Sequence, residues 1–239
     1  MEEINEMKVI VTGGSGYIGS ELIKVLETEG HNVINFDIAH DSRDDIRNAE
    51  RVYAAVTASD VVYHLASPCI VPDSIQNPWK YWDHIVKGTA NVADACRQQD
   101  KRLIFTSTQL AADNFRCECC GQLQSPYAAA KREAEKLIEV LPNALIVRLP
   151  NIYDLEGKDP NESRLFPRFN KTARETGVVR IRPPEDTPVT LIEVNQCARN
   201  LFSYLKNGTG THLMRGETMT IKQVAERVAE IYGARVEVK

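Results

Sequence analysis

From residue 8 the chain alternates short apolar runs with longer amphipathic stretches. Val9 to Val11 is an apolar run that breaks at Thr12-Gly13-Gly14-Ser15-Gly16-Tyr17-Ile18-Gly19. An amphipathic stretch follows, then a β-rich run closing on Asp37. This is strand, glycine turn, helix, strand, acid. Residues 51–58 predict a short helix, and 60–66 (DVVYHLA) a strand buried on both faces. Residues 79–98 predict a long helix with Ile85, Val92 and Ala95 inward. A strand at 103–106, a polar loop at 113–125, an alanine-rich helix at 126–140 and a strand at 144–148 follow. Only seven residues separate Asp37 from Asp45, so the crossover there is abbreviated.

This βαβαβ alternation predicts an α/β fold: a Rossmann-type doubly wound parallel sheet with ligands beyond the strands' carboxyl ends. From Asn151 the pattern changes. A helix is expected at 165–176, a strand at 190–194, a helix at 195–206, and an amphipathic helix at 220–232 with Ile221, Val224, Val228 and Ile231 on one face. The expected organisation is a cofactor domain over 1–150, to which 188–206 return, and a small C-terminal substrate lobe made of 151–187 and 207–239.

The glycine turn narrows the ligand. Gly13 permits the sharp turn, Gly16 lets backbone approach a pyrophosphate, and Gly19 lets the helix pack closely. The helix start offers N–H groups and a positive dipole end to phosphates. Asp37 would accept hydrogen bonds from a ribose diol and repel a 2′-phosphate, which favours NAD over NADP.

Composition changes the picture little. In 239 residues, 43% hydrophobic and 26% charged, there is ample material for a globular core. A net charge of -4 gives no reason to expect a nucleic-acid or membrane partner. The opening MEEINEMK is not a signal peptide and no apolar run spans a bilayer, so a cytoplasmic enzyme with free thiols is expected.

Tyr127 and Lys131 lie four apart on a predicted helix and share a face. A neighbouring ammonium stabilises a phenolate, so the pair can move a proton at a hydroxyl carbon. The same lysine can hydrogen-bond a cofactor ribose. Thr108, just after the preceding strand, can orient a substrate oxygen. Cys117-Glu118-Cys119-Cys120-Gly121 resembles half a zinc ribbon. A structural zinc wants four ligands, so no metal is expected, with Cys117 and Cys120 as the only candidate pair and a free-thiol loop as the preferred reading.

In order, the chain carries TGGSGYIG, Asp37, Asp45-Ile46, YHLAS, KGTANV, FTST, Tyr127-x-x-x-Lys131 and RLPNIYD. That series resembles the extended short-chain dehydrogenase/reductase family, in its NAD-dependent epimerase/dehydratase branch. The opening is similar to nucleotide-sugar 4-epimerases, and YHLASP to UDP-glucuronate decarboxylases. The resemblance implies that Gly13, Gly16, Tyr17 and Ile18 surround the pyrophosphate of NAD. Asp37 would hold the adenosine ribose, Asp45 and Ile46 would contact adenine, and Leu65, Ala66 and Ser67 would line the dinucleotide. Thr108, Tyr127 and Lys131 would be the catalytic set. Pro150 would pack near the nicotinamide, and Ser67, Thr108 and Asn151 would face the substrate. It also implies a homodimer, built on the helices containing Asn91 and Tyr127.

The departures from the family pattern choose among activities. Its dehydratases and decarboxylases carry an acid one or two places after the threonine; here those places hold Gln109 and Leu110. Elimination chemistry is therefore ranked down. Val194-Asn195-Gln196 replaces the usual V-D-D, and the substrate-diphosphate arginine has no counterpart near Thr187. The first expectation is an NAD-dependent epimerase or oxidoreductase acting on a hydroxyl carbon of a nucleotide sugar. The rivals are a carbonyl reductase of a non-sugar metabolite and a non-catalytic NAD-binding regulatory protein.

Overall fold

A computed structural model describes residues 6–113, 123–155, 159, 161–162 and 164–238. The chain divides into two compact units, 1–149 with 195–214, and 150–194 with 215–239. No helix among the described residues is long and apolar enough to cross a membrane.

The first unit opens with β1 (Lys8–Thr12), α1 (Tyr17–Thr28), β2 (Asn32–Phe36), α2 (Ala49–Thr57) and β3 (Val61–His64). Two short helices, α3 (Val71–Gln76) and α4 (Pro78–Trp82), lead through a π turn (Asp83–Lys87) into α5 (Gly88–Gln98). Then come β4 (Arg102–Thr108), α6 (Pro126–Glu139) and β5 (Ala144–Leu149). The expected 79–98 helix is thus present with one wide turn inside it, the kind of irregularity that re-aims side chains. Ile85, Val92 and Ala95 are buried as their spacing requires.

The chain next enters the second unit as β6 (Asn151–Tyr153), α7 (Leu165–Thr176), β7 (Val178–Ile181) and β8 (Pro188–Glu193). It returns to the first as α8 (Val194–Ser203), which joins that unit from Asn195, and β9 (Gly210–Leu213). It ends in the second as β10 (Glu217–Thr220), α9 (Ile221–Tyr232) and β11 (Arg235–Val238).

The first unit's sheet has six strands in the order β2-β1-β3-β4-β5-β9, all pairs parallel. Its central strands are apolar runs because helices cover them. Ile10, Val62, Phe105 and Ile146 pack with Val52, Val56, Val92, Ala134 and Ile138 in one core. The strand order reverses at β1, with β2 on one side and β3 on the other, so the switch point where such sheets bind ligands lies at the carboxyl ends of β1 and β3.

The returning segment was expected at 188–206; the structure places β8 instead in a three-stranded sheet, β10-β8-β6, of the second unit. Residues 195–214 make the return. The strand that closes the main sheet, β9, has no buried residue, so it lacks the apolar run that marks a strand. Arg102 secures this return, donating to the carbonyls of Leu205 at 3.1 Å, Tyr204 at 3.0 Å and Gly208 at 2.8 Å, and to that of Asn207.

In the second unit α7 and α9 share a core with Tyr153, Val179, Ile181 and Leu191. Val224 and Val228 are buried as expected, but Ile231 is exposed and Ala225 and Ala229 take the inner face. The stripe rotates toward the small residues, which admit closer packing.

A candidate NAD and acid/base site

The glycine turn is built by what its residues lack. Gly13 has φ +73° and donates its N–H to Phe36 O at 3.0 Å. A Cβ there would lie 2.7 Å from Ala66 N and 2.8 Å from Ala66 Cα. The turn after β1 and the segment after β3 therefore touch backbone to backbone. Gly19 makes the matching contact from α1, where a Cβ would strike Gly13 O; it packs on the turn rather than on the strand. Gly16 is the N-cap of α1 and supplies no side-chain cap, so Tyr17 and Ile18 open the helix at an end suited to an anion.

Asp37, just past β2, accepts from Ser15 N at 3.2 Å and Ala39 N at 2.8 Å. Its carboxylate is thereby held against the glycine turn. Leu65 and Ala66 hydrogen-bond to Thr12 O and Thr12 Oγ1, at 3.0 and 3.2 Å. Ser67 donates to Pro68 O at 2.9 Å. Asp45 is forked by Arg47, with contacts of 3.0 and 2.6 Å, and Arg47 also reaches Asp83 at 2.9 Å. The Arg47 bonds lower the Asp45 pKa against burial. Ile46 is buried, and its carbonyl accepts from Asn91 at 2.9 Å.

His64, the last residue of β3, is fully buried. Its ring lies between Thr12 Oγ1 at 2.7 Å and Thr89 Oγ1 at 3.0 Å. Burial pushes its pKa down to about 3, with the Lys131 charge adding to the effect, so it serves as a neutral spacer linking β1, β3 and α5.

The residues expected to act as acid and base come from β4 and α6. Ser125 caps α6 by accepting from Ala128 N at 3.2 Å, and Pro126 starts the helix. Tyr127 is half-buried, its ring edge-on to Tyr81 at 6.2 Å. Lys131, one turn on, is 3% exposed. Its Nζ donates to Thr106 O at 2.9 Å and lies 4.6 Å from the Phe105 ring centre. Burial lowers its pKa to about 8, against the charges of Cys69 and Glu135, which raise it. Thr108 lies two residues beyond Thr106 on β4, and its Oγ1 accepts from Leu110 N at 3.3 Å. Lys131 is thus anchored on the strand that carries Thr108.

All the expected residues from Gly13 to Lys131 belong to the first unit. Pro150 and Asn151 belong to the second, where Asn151 donates to Thr190 O at 3.2 Å. Cys117 and Cys120 lie outside the described residues. Three contributors escaped the sequence reading as site supports: His64, Asn91 and Glu135. An arginine interrupting an otherwise apolar strand, Arg148 in ALIVRL, was the available signal for a buried carboxylate partner.

This sheet and glycine turn are those of a Rossmann-type dinucleotide-binding enzyme. The chain belongs to the NAD-dependent epimerase/dehydratase family, which it matches over residues 9–207, and its cofactor is NAD. It is 28% identical to the 2-alkyl-3-oxoalkanoate reductase of Stenotrophomonas maltophilia, over 95% of this chain and 76% of that protein. To the UDP-glucose 4-epimerase of Lactobacillus helveticus it is 32% identical, over 43% of this chain and 36% of that one. The fold superposes on the Thermus thermophilus UDP-glucose 4-epimerase complex with NAD, with a TM-score of 0.80 and 25% identity. That match covers 98% of this chain and 86% of the other.

The residues present fit the dinucleotide. Gly13 leaves a cradle that a Cβ would fill, α1 begins without a side-chain cap, and a carboxylate stands at the tip of β2. NAD supplies a hydride acceptor and donor when bound.

Proposed function

We propose that this enzyme oxidises and re-reduces a hydroxyl carbon of a nucleotide sugar, as an epimerase or net oxidoreductase. Gly13, Gly16, Tyr17 and Ile18 hold the pyrophosphate, and Asp37 the adenosine ribose. Asp45 and Ile46 meet adenine, Leu65, Ala66 and Ser67 line the dinucleotide, and Pro150 packs near its nicotinamide. Tyr127 takes the hydroxyl proton as the carbon is oxidised and returns it on reduction. Lys131 stabilises the phenolate electrostatically, and Thr108 and Asn151 hold the substrate oxygens. The observation that carries the proton chemistry is Lys131: a buried amine tied to Thr106 O, with a tyrosine one turn earlier on the same helix. Burial keeps the amine from being screened by water, so its effect on the phenol is larger than at a surface.

The substrate class rests on likeness to nucleotide-sugar epimerases. A second reading has its own support: the reductase relative aligns with nearly the whole chain. In that reading the same residues deliver a proton to a ketone, and the alcohol leaves. The test is a panel of UDP-sugars with catalytic NAD, and of 3-oxo acids with stoichiometric NADH. Interconversion of a sugar without net NADH change supports the epimerase. Stoichiometric NADH consumption by the oxo acids alone refutes it in favour of the reductase. A homodimer is part of the proposal, and light scattering at the size-exclusion peak decides it.

A further inference from the structure

One turn beyond Lys131 stands Glu135, whose side chain is wholly buried. Arg148 of β5 grips its carboxylate with a fork, Nε to Oε1 at 2.9 Å and Nη2 to Oε2 at 2.7 Å. Arg132 of the same helix adds a bond to Oε2 at 2.8 Å. Burial opposes ionisation of this acid, but Arg148, Ser107 and Arg132 outweigh it and hold the pKa below the carboxylate range. Ser107 contributes by proximity without closing a hydrogen bond of ordinary geometry. On β4 and β5, Ser107 and Arg148 are register partners, one residue before Thr108.

A buried ion pair is a poor way to gain stability, because well-packed apolar side chains do as well. What it supplies is register. Alanine contacts such as Ala130 and Ala134 tolerate a small slide or roll of the helix, whereas a two-pronged guanidinium–carboxylate fork closes in one placement only.

We propose that Glu135 is a positioning residue: gripped by Arg148 and Arg132, it fixes how α6 lies on β4 and β5, and so where Tyr127 and Lys131 stand beside Thr108. The inference rests on the reading above, in which Tyr127 and Lys131 work the proton step. Its carboxylate is also the negative charge on α6 that acts on the Lys131 amine. The other groups acting on that amine are Cys69, beyond β3, and His64, at the end of β3.

The variants are Glu135→Gln and Glu135→Asp, with Arg102→Gln as the stability control, since Arg102 bonds the turn after α8 and the Asn143 side chain before β5, away from Tyr127 and Lys131. In Glu135→Gln, kcat falls about tenfold with KM changed less than about threefold, as for a misplaced acid/base pair. The NMR titration of Lys131 in lysine-labelled protein moves to lower pH, and the alkaline limb of kcat follows. Arg102→Gln lowers Tm and moves neither. Glu135→Asp keeps the charge but falls short of Arg148; it loses at least about threefold in kcat with Lys131 titrating close to wild type. If Glu135→Gln lowers Tm but keeps wild-type kcat and Lys131 titration, the proposal is overturned. Should Glu135→Gln not fold, wild-type kcat in Glu135→Asp overturns it alone. If Tyr127→Phe keeps wild-type turnover, the catalytic reading fails instead, and the Lys131 titration, which needs no turnover, still decides the role of Glu135.

Discussion

The two halves of the proposed site are made by opposite means. Around the β1 turn, the local structure depends on missing atoms: Gly13 and Gly19 let backbones meet where any Cβ would collide. Around α6, it depends on charged atoms being present and held: Lys131 on Thr106 O, Glu135 in the Arg148 fork. The first half is rigid because nothing further can be inserted. The second is rigid because its buried charged groups, Lys131 and Glu135, have partners, and each partner lost leaves a charge exposed to low dielectric. Damage should therefore come from adding a carbon in one half and from removing an oxygen in the other.

Tyr127→Phe removes one oxygen, and it should have the largest effect. Turnover on the substrate found by the panel is expected to fall by about 10³-fold or more. NAD affinity by calorimetry should stay within about threefold. Loss of both, or of neither, would falsify the division of labour. Gly13→Ala adds one carbon. Its Cβ meets the Ala66 backbone, and alanine is disfavoured at φ +73°. The NAD dissociation constant should rise about 100-fold, roughly the 2–3 kcal/mol that such a clash and strain cost together. At saturating NAD, the pH profile of the remaining activity should be that of wild type. A shifted profile would mean the halves are not independent.

The α6 half also predicts a pH dependence that the glycine half lacks. The folded-state pKa of Lys131 is about 8, against 10.5 for the free side chain. Between these values the unfolded chain binds more protons than the folded one, so stability rises with pH across that window. Below about 8 the burial cost is borne in full; above 10.5 it is gone. Urea unfolding of wild type and Lys131→Met at pH 7.5 and 10.5 should show wild type gaining roughly 2–3 kcal/mol relative to the variant, at about 1.4 kcal/mol per unit. A constant difference would show that the amine is solvated.

Legibility followed the same divide. The glycine turn, Asp37 and the apolar strands were readable because each leaves a local pattern: a triplet of missing side chains, an acid after a strand, an uninterrupted apolar run. Tyr127 and Lys131 were readable by helical spacing. Glu135 was not, because its partner Arg148 is 13 residues away on a neighbouring strand and no local periodicity joins them. The second unit was least legible. Its strands β6, β7, β10 and β11 have three or four residues each, too few for alternation to declare a face. The expected place of β8 in the main sheet fell to another cause: its six residues bury the adjacent Leu191 and Ile192 without alternation, and such a run does not say which sheet covers it.

Asn91 joins the two strategies and carries the smallest predicted effect. The abbreviated crossover after β2 has no helix of its own to seat Asp45 and Ile46 until α2. It docks on α5 in two ways. Gly88 gives room, since a Cβ there would strike Ile46 Cδ1, and the Asn91 amide holds Ile46 O at 2.9 Å. Taking away the amide leaves a half-buried carbonyl that water can serve, so the cost is that of one ordinary hydrogen bond. Asn91→Ala should weaken NAD roughly threefold, or about 0.7 kcal/mol, with kcat unchanged. Family resemblance places the helix of Asn91 at a dimer interface instead. If the variant dissociates on size exclusion while its NAD affinity stays at the wild-type value, Asn91 serves the subunit contact and not the adenine loop.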